Sequence, residues 1–230
     1  MTVVKICGVS KASNARAAAA FGADFIGMVF APSRRQVTLG QAKKVAEGLG
    51  KERGERLTKP DAASIEEALK HRRPLLVGVF ADQDTDTINS IADEVGLDLV
   101  QLSGSEPWEV NEHVARPILK CMKVREGETA DQLMVHFHGG AVLLLDPFVP
   151  GTYGGTGRTL DWAVAAEIAR QTPTVLAGGL TPANVGEAVR TVHPWAVDVS
   201  SGVETDGAKD PDKIRAFIAA AKQADNARSA

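Results

Sequence analysis

Three things are scarce in this sequence: long apolar runs, an excess of one charge, and cysteine. The longest apolar runs, such as AVLLL at 141–145, fall far short of the roughly 20 residues that a membrane-spanning helix needs. The opening MTVVKICGVS has neither the long apolar region nor the cleavage signature of a signal peptide. Lys and Arg number 26 against 29 Asp and Glu, and the net charge of −3 speaks against a general nucleic-acid binder. Two cysteines, Cys7 and Cys121, could form one bridge at most. A reduced, cytoplasmic protein with both thiols free is therefore expected, with neither membrane nor nucleic acid as a partner.

What the sequence does contain is a rhythm. Eight short apolar runs rich in β-branched residues are each followed by a stretch with helical spacing: VVKIC, DFIGMVF, LLVGVF, DLVQLSG, ILKCMKV, AVLLLD, TVLAGG and AVDVSSG. Strands alternating with helices imply a parallel sheet. Eight units in a chain of 230 residues match the size of a (β/α)₈ TIM barrel, typically about 250 residues. Pattern alone leaves an open doubly wound sheet in play; unit count and the placement of unusual residues favour closure. A single barrel domain over 1–222 is expected, with a polar tail at 223–230. An extra charged, partly helical insertion (48–73) falls between the second helix and the third strand, with Asp61 or Ser64 as its cap.

In such a barrel the active site lies at the C-terminal ends of the strands. Strand one ends in Cys7-Gly8, strand six in Asp146, strand seven in Gly178-Gly179, and strand eight in Asp198, Ser200, Ser201 and Gly202. The loop after strand two brings Arg34 and Arg35, and the loop after strand six holds Gly155, Thr156 and Gly157. Glycine-bearing loops after strands six, seven and eight suit a phosphate, because backbone N–H groups can approach it closely. Thr181-Pro182 reads as an N-cap with proline at the first helical position, just past this cradle.

Alternation along strand one puts Lys5 and Cys7 on one face and Val4 and Ile6 on the other. If Lys5 and Cys7 point inward, the buried lysine needs a partner, and Asp198 on the neighbouring strand eight is the candidate. A cation beside Cys7 predicts a lowered thiol pKa and a thiolate within reach as general base. Asp146, across the barrel and shielded by Pro147 and Phe148, is the candidate acid with a raised pKa. An arginine at the mouth suits bidentate carboxylate recognition. The implied substrate is a small phosphorylated molecule that also carries a carboxylate, with proton transfer between the two ends. His136-x-His138 has a ligand spacing but no supporting cysteine or carboxylate, so no metal is expected there. Cys121 reads as core, and the three tryptophans read as packing between helices and barrel.

KICG, GADFIGMVF followed by SRRQV, LLLD followed by GGTG and DW, LAGGLTPANV and AVDVSSGVE together resemble the phosphoribosylanthranilate isomerases of tryptophan biosynthesis. The likeness runs from Lys5 to about Lys222. It implies a (β/α)₈ enzyme that carries out an Amadori rearrangement without metal or cofactor. It also implies Asp146 as acid, Cys7 as base and Arg35 as holder of the anthranilate carboxylate. Gly155 to Gly157, Gly178, Gly179 and Ser200 to Gly202 would hold the phosphate, with Lys5 and Asp198 also counted among the substrate contacts. The family's QLHG after strand four is QLSG here, with Ser103 for histidine. GVETDGAKD resembles fungal versions, in which the isomerase is often fused to other tryptophan-pathway domains. Two rivals remain: another sugar-phosphate barrel isomerase or synthase, and a barrel that binds a sugar phosphate without catalysis.

Overall fold

The computed structural model describes residues 1–50, 57, 61–150 and 159–226. Eight parallel strands close into one barrel: β1 (Val3–Cys7), β2 (Phe25–Val29), β3 (Leu75–Phe80), β4 (Leu99–Leu102), β5 (Ile118–Val124), β6 (Val142–Pro147), β7 (Thr174–Leu176) and β8 (Ala196–Val199). Closure is carried by β1, where Lys5 stands opposite Phe25 of β2 on one side and Asp198 of β8 on the other. The open-sheet alternative is thereby excluded.

The two-residue period sorts every strand into an inner and an outer face. Val4 and Ile6 join the layer between strands and helices, whereas Val3 belongs to the barrel interior with Phe25, Leu75, Val77, Leu99, Leu119 and Leu144. Above that layer Cys7, Val29, Ala31, Val79 and Ala81 form a smaller apolar cluster at the C-terminal ends of the strands. These residues, from the ends of β1, β2 and β3, lie on one side of the mouth.

The outer helices are α1 (Ala12–Ala20), α2 (Leu39–Gly48), α3 (Ala62–His71), α4 (Thr85–Val95), α5 (Ala130–Met134), α6 (Trp162–Ala169), α7 (Val185–Val192) and α8 (Pro211–Asn226). Local sequence explains several starts. Thr38 and Gln41 form a reciprocal capping box at α2, as Thr129 and Gln132 do at α5. Asp61, one of the two expected caps, accepts from the Ser64 N–H to start α3. That helix is the described part of the insertion. Its Ile65, Ala68 and Leu69 share a cluster with Val3, Phe25, Leu75 and Ala196, so it plugs the N-terminal end of the barrel. Trp195 fixes it from the side by donating to Glu66 at 2.6 Å.

Three expectations need correction. The segment after β4 is a 3₁₀ helix, Trp108–His113, with no buried residue to support a longer helix. Thr181-Pro182 does not start α7; Asn184 does, because its side chain accepts from the Thr181 N–H and donates to the Gly179 carbonyl, closing the turn first. The expected tail boundary at 222 is crossed by α8, which keeps Ala224 and Asp225 buried. Asp225 accepts from the Thr2 backbone N–H at 2.9 Å and from the Thr2 hydroxyl at 3.0 Å. No helix among the described residues is long and apolar enough to cross a membrane.

Candidate active site

One cavity of about 640 Å³ opens at the C-terminal ends of the strands, and Cys7, Arg35, Asp146, Gly178, Gly179, Asp198 and Ser200 to Gly202 all line it. Gly155, Thr156 and Gly157 lie outside the described residues.

Cys7 ends β1 pointing inward, with only 6% of its surface exposed. Gly8 follows at φ +74°, a left-handed conformation that favours glycine. A side chain here would also collide with Arg35, whose Cδ lies 2.6 Å from where a Cβ would sit. The Cys7-Gly8 pair is thus an inward thiol followed by a notch that seats an arginine. Beneath Cys7 the fully buried Lys5 donates to Asp198 Oδ1 at 3.0 Å, the expected ion pair. Lys5 does not line the cavity; the groups it interacts with are Asp198 and Cys7. Burial works to lower the Lys5 pKa, but the charges of Asp198 and Cys7 outweigh it and the net shift is upward. The expected lowering of the Cys7 pKa is not found. Burial pushes the thiol up, and the pull of Lys5 offsets only part of that rise.

Asp146 faces the same cavity from β6, 7% exposed. Burial raises its pKa despite the opposing charge of Lys123, as expected for a group that holds a proton to donate. Lys123 donates to Asp146 Oδ2 at 2.6 Å and stands directly opposite it in the β5–β6 register. It was missed in the sequence, although the count that turned Lys5 and Cys7 inward also turns Cys121 and Lys123 inward. Cys121 packs against the barrel-interior cluster, as expected, and also lines the cavity; burial pushes its thiol up to about 12.

Arg35 is held by Glu204, which accepts from Nε at 2.7 Å and from Nη2 at 3.1 Å. The same carboxylate takes Lys209 Nζ at 2.9 Å and an Arg34 Nη2 donor. Glu204 and Lys209 belong to a hairpin after β8, made of β9 (Glu204–Thr205) and β10 (Ala208–Lys209). Neither was singled out as a site residue, although both stand in the segment GVETDGAKD that carries part of the resemblance. Burial tends to raise the Glu204 pKa, but bonds from Arg35, Lys209 and Arg34 hold it at about 2.

Lys209 also donates to the Ser200 carbonyl at 2.7 Å, and the Ser200 hydroxyl donates to the Cys7 carbonyl at 3.2 Å, tying the β8 loop to the end of β1. The loops after β7 and β8 touch at Gly202, where any side chain would strike the Leu180 carbonyl. Ser103 lines the cavity and accepts from Gln101 Nε2 at 2.9 Å. His138 packs edge-on against Trp108, with ring centroids 5.8 Å apart. Among the described residues, no group of three or more His, Cys, Asp or Glu side chains could hold a metal ion.

The family model described as N-(5′-phosphoribosyl)anthranilate isomerase matches residues 55–220. An isomerase of that name from Roseiflexus castenholzii is 45% identical over 224 residues, covering 96% of this chain and 99% of its own. A multifunctional tryptophan biosynthesis protein of Phycomyces blakesleeanus is 40% identical over 256 residues, covering 95% of this chain and 32% of its own. Relatives thus include both free-standing and fused forms. The isomerase structure from Thermotoga maritima superposes with a TM-score of 0.75 at 32% identity, over 97% of this chain and 100% of its own. Another isomerase structure, in complex with reduced 1-(o-carboxyphenylamino)-1-deoxyribulose 5-phosphate, gives 0.74 at 30% identity, with the same 97% and 100% coverage. With a cavity, a fold and relatives that agree over nearly the whole length, the chain belongs to the N-(5′-phosphoribosyl)anthranilate isomerase family.

Proposed function

We propose that the chain isomerises N-(5′-phosphoribosyl)anthranilate with Asp146 as general acid and Cys7 as general base. The activity is that of the family, an isomerase step in tryptophan biosynthesis. The assignment of roles rests on one observation above all: a carboxyl and a thiol from two separate strands line one cavity.

The Asp146 carboxyl gives its proton to the furanose ring oxygen while the anilino nitrogen pushes its lone pair toward C1. The C1–O bond breaks, leaving an open-chain Schiff base. Cys7, as thiolate, then takes the proton from C2, and the electron pair flows to the nitrogen to give the enolamine. Tautomerisation yields the ketone. The working form therefore carries a proton on the carboxyl and none on the thiol. Burial acts on the two groups in opposite senses: the raised carboxyl pKa fills that form, and the raised thiol pKa empties it. Lys5, as a cation two residues before Cys7 on the same face, supplies the counter-charge that favours the thiolate.

Arg35 reads the anthranilate carboxylate, and the backbone of Gly178, Gly179 and Ser200 to Gly202 cradles the phosphate. Gly155 to Gly157 complete the cradle by the same resemblance. A reducing cytoplasm suits the chemistry, since Cys7 must remain a free thiol, as it is here. The test follows the fluorescence of phosphoribosylanthranilate made in situ. Wild type should consume it, and Asp146→Asn should lower kcat by about 10²–10⁴-fold with KM little changed. Unaltered turnover in that variant would exclude Asp146 as the acid.

A further inference from the structure

A guanidinium has two edges that can each grip a carboxylate: a side-on edge of Nε and one Nη, and an end-on fork of Nη1 and Nη2. In Arg35 the side-on edge is occupied, because Glu204 accepts from Nε at 2.7 Å and from Nη2 at 3.1 Å. Among the described residues no hydrogen bond to Nη1 is formed. Arg35 lines the cavity, and its methylenes lie across the Gly8 notch beside Cys7.

We propose that Glu204 is a positioning residue for substrate recognition: it clamps Arg35 by one edge so that the end-on fork is offered to the substrate's carboxylate. The inference rests on the assignment of Arg35 as carboxylate reader.

Three features fit a clamp better than a surface ion pair. Glu204 is 6% exposed at its side chain, and Lys209, 3% exposed, donates to the same Oε1 that accepts from Arg35 Nε. A substrate carboxylate would therefore add to Arg35 rather than displace Glu204. With a pKa held at about 2, Glu204 remains charged near neutral pH. Arg34, Arg35 and Lys209 surround this one carboxylate, so the cluster keeps a net double positive charge toward an incoming anion. Arg34 differs, since its Nη1 and Nη2 donate to two separate acceptors, the Gly207 carbonyl and Glu204.

The test measures equilibrium binding of two probes to the intact protein. One is reduced 1-(o-carboxyphenylamino)-1-deoxyribulose 5-phosphate; the other is the same compound without the ring carboxylate. Glu204→Gln should weaken the carboxylated probe by about tenfold and leave the other unchanged, while kcat at saturating substrate stays near wild type. Glu204→Asp retains the charge but draws the carboxylate back by one methylene. It should show a smaller loss of the same selective kind, and it serves as the measurement if the glutamine variant does not fold. Equal weakening of both probes, or no weakening, would overturn the clamp. Arg35→Ala is the separate control. If it discriminates between the probes and the Glu204 variants do not, only the clamp falls; if it does not discriminate, the assignment of Arg35 falls and the clamp with it.

Discussion

Lys5 and Asp198 are direct register partners across the seam that closes the barrel, and their charged atoms lie 3.0 Å apart with the lysine fully buried. Such a pair serves two ends, since it joins the first strand to the last and sets a cation beneath the Cys7 thiol.

Asp198→Asn should therefore destabilise the fold, because it leaves a buried ammonium without its counter-charge. A loss of about 3–5 kcal/mol is expected, or roughly 6–20 °C at about 2–4 °C per kcal/mol, read by calorimetry. The sign with pH follows from the raised Lys5 pKa: the pair's contribution is complete below the unfolded lysine value of about 10.4 and fades only as pH rises toward the folded value. Wild type and variant should thus converge in alkali.

Replacing Cys7 with serine keeps the shape and removes an accessible anion. kcat should fall by about 10²–10⁴-fold, with substrate affinity nearly intact. A serine variant that turns over at the wild-type rate would remove Cys7 from the reaction.

Lys123 opposes the burial that raises Asp146. Its removal should let that carboxyl rise further. In the pH profile of kcat/KM, the limb that Asp146→Asn abolishes should move to higher pH in Lys123→Met. A limb that stays in place would show that Lys123 does not tune the acid.

Ile65 on α3 is fully buried against the first residues of the strands. Ile65→Ala should cost about 2–5 kcal/mol in denaturant unfolding while kcat and KM stay unchanged. Altered kinetics would mean that the plug reaches the opposite face.

Much of this was legible because closure of a parallel barrel obeys a strict count. Val4 and Ile6 outward fixes Lys5 and Cys7 inward, and the β1–β8 register then delivers Asp198. The same count, unapplied to ILKCMKV, hid Lys123. Glu204 and Lys209 were out of reach for another reason: a short hairpin brings them to arginines some 170 residues earlier, and no local pattern encodes that meeting. Thr181-Pro182 obeyed the rule for a helix start, yet the Asn184 amide satisfied the turn first. The thiol's pKa was misjudged because a sequence displays the neighbouring cation but not the depth of burial.

The two hydrogen bonds from Thr2 to Asp225 bring the start of β1 and the end of α8 to one point. Parallel strands run from that pole toward the mouth, so the start of β1 and the end of α8 both lie away from the substrate's entrance. The same closeness makes the fold a candidate for circular permutation, with a short bridge across the old ends and new ones cut into an outer loop.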